Sequence, residues 1–123
     1  MSSEDNKQAA RDGYDAFIKG DAKGAMADIA DSIEWVVSGD SAVSGTYHGK
    51  EEVGGFWGRL VEKGFTVAPH EFIAEGDIVV ALVTQRLGAD EAESADVLKY
   101  EDGKLVRFQS FGEDTMLENA FPK

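Results

Sequence analysis

The chain has 123 residues, 42% of them hydrophobic, which suffices for one domain (residues 1–123) with a real core. Its 24 acidic residues against 12 basic ones leave a net charge of −12, which argues against nucleic acids and anionic membranes as partners, since both bind basic patches. There is no cysteine, so disulfides and thiol chemistry are absent. Residues 1–12 are polar, with no apolar segment of the signal-peptide kind, and no apolar run has transmembrane length. The expected setting is cytoplasmic.

Residues 3–19 carry Ala10, Tyr14, Phe17 and Ile18 at helical spacing, with Ser3 or Asp5 as cap. Gly20-Asp21 breaks that helix, and residues 22–30 form a shorter one with Met26 and Ile29 inward. Residues 32–37 alternate as a strand, which puts Ile33, Trp35 and Val37 on one face. Residues 38–47 hold Gly39, Asp40, Ser41, Ser44 and Gly45, all turn formers, and read as loop. Residues 50–63 are a third helix, with Val53, Phe56, Trp57, Leu60 and Val61 at helical spacing, and Gly64 ends it. Residues 65–74 form a strand bulged near Pro69, which has no N–H for a ladder. Residues 78–87 are apolar on both faces and read as a central strand. Residues 88–92 are an acidic turn, and 115–121 add a last helical turn.

Residues 93–111 form a hairpin around Glu101-Asp102-Gly103. A two-residue loop pairs Tyr100 with Leu105 and throws Asp96 onto one face with Arg107 and Gln109. A three-residue loop with Gly103 as bulge pairs Tyr100 with Lys104, and then Asp96, Leu98, Tyr100, Val106, Phe108 and Ser110 share one face. The second register separates apolar from polar better and is the expected one. It leaves a single acid, Asp96, on an oily face.

The order helix, helix, strand, helix and then four antiparallel strands is an α+β layout. Three helices from the N-terminal half pack on a curved, mainly antiparallel sheet and enclose an apolar pocket. Its expected lining is Tyr14, Trp35, Val37, Phe56, Trp57, Leu60, Leu82, Leu98, Phe108 and Ser110, with Asp96 among them. A lone acid in such a place has a raised pKa, which suits general acid or base work. The plain alternative is a buried Asp tied to a Tyr, Trp or Arg for structural reasons. Arg86 shares the parity of Leu82, so it either pairs with Asp96 at the mouth or stands on the solvent rim. His48 and His70 have no metal-ligand spacing, and no metal or cofactor is expected.

Six short stretches in order resemble one family: Tyr14-Asp15-Ala16-Phe17 followed by Gly20-Asp21; Ile33-Glu34-Trp35; residues 45–51; residues 71–77; residues 102–108; and Asp114-Thr115. They are similar to the SnoaL-like polyketide cyclases and ketosteroid-isomerase-like proteins of the nuclear-transport-factor-2-like superfamily. The resemblance implies a cone-shaped α+β barrel, an apolar cavity and a homodimer. It places the hairpin acid of ketosteroid isomerases on Asp96, their base on Val37, and their tyrosine on Gly13, one residue from Tyr14. It thus implies a cofactor-free isomerase, cyclase or hydrolase acting on a small hydrophobic carbonyl or epoxide compound. The other class left open is a non-catalytic module that binds a hydrophobic ligand or dimerises. The outer sheet face, with Ala95, Val97, Gln109 and Phe111, is the expected dimer surface.

Overall fold

The structure, a computed structural model, describes residues 2–123. Helix α1 (Ser3–Ile18) begins at a capping box on Ser2: the Asp5 amide donates to the Ser2 hydroxyl at 3.1 Å, and the Ser2 amide donates to the Asp5 carboxylate at 3.2 Å. The cap therefore lies one residue before Ser3. Ala10 is buried as expected, whereas Ile18 is exposed on the last turn. Helix α2 (Ala22–Met26) is capped by Asp21 and stops early, because Ile29 already belongs to strand β1 (Ile29–Val37).

Strand β2 (Gly45–His48) takes up the end of the stretch read as loop; Thr46 and Tyr47 are strand formers, but the run is too short and too closely preceded by turn formers to stand out, and it pairs with β1. Helix α3 (Gly49–Glu62) follows, then β3 (Thr66–Glu75) and β4 (Ile78–Leu87). Their ladder slips between Pro69 and Glu71, where proline was expected to interrupt it. Strands β5 (Asp90–Glu101) and β6 (Lys104–Phe111) make the hairpin, and α4 (Asp114–Ala120) ends the chain.

The hairpin differs from both simple registers. Asp102 and Gly103 have φ of 51° and 78°, so the turn has two residues of the mirror-image kind, and Tyr100 pairs with Leu105 rather than Lys104. A register shift next to Tyr100 then restores the pairs Lys99–Arg107, Leu98–Phe108 and Asp96–Ser110. Leu105 takes the inward place expected for Val106. The oily face with one acid is otherwise as the alternation requires.

The sheet is open, with strand order β2-β1-β6-β5-β4-β3; all neighbours are antiparallel except β1 and β6. Helix α1 lies over β3 and β4, α3 over β1 and β2, and α4 against β4 and β5. Four helices, one more than the N-terminal three, thus pack on a mostly antiparallel curved sheet. No described helix is long and apolar enough to cross a membrane.

Candidate functional site

Cross-strand rows place the inner-face side chains. Val79, Leu98, Phe108, Trp35 and Tyr47 form one row across five strands, and Phe72, Ala81, Asp96 and Ser110 form the next. Above them the helices leave a cavity of about 120 Å³. Of the residues expected to line it, Tyr14, Trp35, Phe56, Trp57, Leu60, Leu98 and Phe108 do so around Asp96. One face of Trp35 is covered by Phe108, stacked at 3.7 Å between centroids, and Trp57 meets Trp35 edge-on at 5.4 Å. Phe17 of α1 packs edge-on against Trp57 at 5.2 Å, which joins α1 to α3 over the cavity.

Asp96 is 2% exposed. The Tyr14 hydroxyl donates to its Oδ2. Tyr14 thus enters the cavity although it stands one residue from the family's tyrosine position. Oδ1 has no hydrogen-bond partner of good geometry; Ser110, directly across the ladder, is close enough to favour the carboxylate without completing a bond. Burial pushes the Asp96 pKa up to about 6, and Ser110 and Tyr14 only partly oppose that. The Tyr14 hydroxyl is pushed well above the ordinary range by burial and by the charge of Asp96. Among the described residues no Lys, Arg or His lines the cavity, so no cation there offsets the acid.

Among the lining residues that the sequence did not point to, two are buried and polar. Gln85 is buried on β4, where its Nε2 donates to Ser94 Oγ at 2.8 Å and Ser110 Oγ at 3.1 Å, while its Oε1 is unpartnered. Glu113, 8% exposed, is a second carboxyl in the cavity. Burial pushes its pKa up to about 7, the charge of Asp96 adds to the rise, and Gln85 and Ser110 oppose it. Gly112 makes this placement possible. It holds φ of 115°, and a Cβ there would lie 2.6 Å from the Glu93 carbonyl oxygen. The available signal was Gly112 itself, a residue that ends strand alternation just before an acid.

Val37, Leu82 and Ser110 stand outside the lining. Val37 faces inward but is packed with Met116 and Leu117 of α4, which fill the space over it. Leu82 is 38% exposed on the outer face; on β4 the inward residues are Val79, Ala81, Val83, Gln85 and Leu87. Ser110 is buried beside the cavity as a polar link between Asp96, Gln85 and Glu113. Arg86 points outward and pairs with Glu91 at 2.7 Å, not with Asp96. His48 and His70 are away from the cavity, and His70 bonds Thr84 at 2.5 Å. No cluster of three His, Asp or Glu side chains suited to a metal ion occurs among the described residues.

No curated protein is detectably similar to the chain in sequence. Among solved structures, a nuclear-transport-factor-2-like protein of Burkholderia pseudomallei is similar over 100% of both chains, with 28% identity and a TM-score of 0.85. One from Burkholderia thailandensis matches 97% of this chain and 96% of its own, with 30% identity and a TM-score of 0.81. TerC, co-crystallised with polyporic acid, has a TM-score of 0.83 over 94% of this chain and 97% of its own, and at 23% identity that likeness shows the fold alone. Residues 10–108 match the SnoaL-like domain family, and the chain belongs to that family.

Proposed function

We propose that this cavity is a cofactor-free acid–base site, acting as an isomerase, cyclase or hydrolase on a small hydrophobic carbonyl or epoxide compound. Asp96 is the proton-transferring group. The observation that carries this reading is a carboxyl 2% exposed, held by Tyr14 at one oxygen only, in an aromatic cavity with no lining cation. Such a group is poised to exchange a proton near neutral pH. The acids Asp12 and Asp28 at the solvent side add to Asp96 and Glu113, which favours a neutral ligand over an anionic one.

The test is exchange of α-hydrogens of small cyclic ketones into deuterium oxide, followed by proton NMR, together with epoxide opening. Asp96→Asn should slow the reaction by about 10²–10⁴-fold. Turnover that survives this substitution at the native rate sinks the proposal. A second reading, binding without turnover, is favoured by Val37, which leaves β1 with no carboxylate in the cavity. Quenching of Trp35 and Trp57 fluorescence by the same ketones, with no exchange, would select it.

The proposal includes a twofold dimer through the outer sheet face. Ile73, Leu82 and Phe111 are exposed there beside Val80, Val97 and Ala95, an apolar centre on a strongly acidic protein.

A further inference from the structure

We infer that Glu113 is the second acid–base group of the cavity, and that it exchanges a proton with Asp96 through the hydroxyl of Ser110. This rests on the proton-transfer reading of Asp96. Four observations place the pair together. Asp96 and Glu113 both line the cavity and both are buried. Ser110 is the cross-strand partner of Asp96, stands three residues before Glu113 in the chain, and favours the charged form of both carboxyls. Gln85 holds Ser110 from the far side, so the Ser110 proton is left free to face one carboxyl or the other. Finally, two buried acceptors, Asp96 Oδ1 and Gln85 Oε1, lack donors. A proton carried on the carboxyl pair, or an O–H or N–H brought by a ligand, supplies what they lack.

The charged surroundings allow such a pair. Asp114 of α4 and Asp96 of β5 both raise the affinity of Glu113 for a proton, and Tyr14 of α1 faces it from across the cavity. Asp12 and Asp28 stand at the solvent side, and Tyr100 completes the ionisable lining. All these groups are acids, so the first carboxyl to ionise makes the second harder to ionise. Burial raises both carboxyls toward neutrality, Asp96 to about 6 and Glu113, with the charges of Asp96 and Asp114 added, to about 7, so the pair can hold one proton between them.

The proton balance then closes within the cavity. Asp96 as carboxylate takes a proton from carbon beside the ligand's carbonyl, while Glu113 as acid gives one to the ligand. Asp96 is left protonated and Glu113 ionised. Ser110 passes its proton to Glu113 and takes the one on Asp96, which restores both groups. For an isomerisation, no proton is gained or lost overall.

Carbon-13 NMR titration of the two side-chain carboxyls tests this without any ligand. Asp96→Asn should lower the midpoint of Glu113 by about one pH unit or more, as expected for carboxyls that share a site. Glu113→Gln, read at Asp96, should turn a curve with two inflections into one with a single inflection. Ser110→Ala should raise both midpoints, since the hydroxyl that favours the charged form of each carboxyl is gone. If Glu113 keeps its midpoint in Asp96→Asn, and Asp96 keeps its curve in Glu113→Gln, the two groups do not communicate and the inference is wrong. Failure of the wider proposal looks different: the titrations stay coupled, yet no ketone exchanges its hydrogens.

Discussion

The Tyr14 hydroxyl donates to Asp96 Oδ2 across 82 positions of sequence, and it ties the first helix to strand β5 of the C-terminal hairpin. The bond stabilises the carboxylate, whereas burial opposes it, and burial is the larger effect. Asp96 is therefore held in place without being held ionised.

Removing that donor should show both effects. Tyr14→Phe leaves the second Asp96 oxygen without its partner. The Asp96 midpoint should rise above about 6, because a donor to the charged form has gone. Stability at pH 7 should fall by about 1–3 kcal/mol, as for a buried acceptor left unpaired. Carboxyl NMR and urea unfolding measure the two effects, and an unchanged Asp96 midpoint would contradict the bond.

The pH dependence of stability follows from the two raised carboxyls. Each binds its proton more tightly in the folded chain than in the unfolded one, where Asp and Glu have ordinary values of 3.8 and 4.5. Their contribution is complete below those values and is lost as pH rises to about 6 and about 7. The loss is on the order of 3 kcal/mol for each group taken alone. Asp96→Asn should thus be more stable than the native chain at pH 7, and lose that advantage near pH 4. A destabilised mutant at pH 7 would mean that the carboxylate has a strong partner. Arg86 is not that partner, being paired with Glu91.

Gly112→Ala should be destabilising by about 1–3 kcal/mol, since it combines a positive φ with a backbone collision. It should also swing Glu113 outward. The Glu113 midpoint should drop from about 7 toward the ordinary range. Thermal unfolding and the same carboxyl titration check the two parts.

The outer-face dimer is tested by charge. Leu82→Glu and Phe111→Glu each place an acid on the exposed apolar centre of the sheet, where the ordinary chain should pair with a copy of itself. Sedimentation should give a dimer for the native chain at micromolar concentration and a monomer for either variant, with the cavity and its tryptophan fluorescence intact. A native monomer removes the dimer.

Much of this arrangement was readable from alternation alone. Asp96, Leu98, Phe108 and Ser110 share a face because their strands keep period two through the pairs nearest the acid. The misplacements have local causes. Strand β4 is apolar on both faces, so Val80 and Leu82 look as suitable for a cavity as Val79 and Ala81, and only the neighbouring strands decide. Val106 lost its inward place to Leu105 because a bulge obeys tertiary fit, not composition. Glu113 follows a glycine at a strand end, where neither strand nor helix periodicity applies. Tyr14 was off by one helical position in the family's frame, yet a long side chain ending in a hydroxyl reached the same acid.

The parallel pair of β1 and β6 joins Ile29 to Leu105 and Trp35 to Phe108. Its partners lie far apart in sequence, so the cavity depends on long-range contacts. Until β6 docks, β1 has only the short β2 beside it, and the aromatic wall of Phe17, Trp35 and Trp57 has no floor. Pairings this distant in sequence close slowly. In a refolding experiment the tryptophan signal should therefore mature with the slowest phase, and during synthesis the two buried carboxyls and their aromatic cover meet only after β6 has left the ribosome.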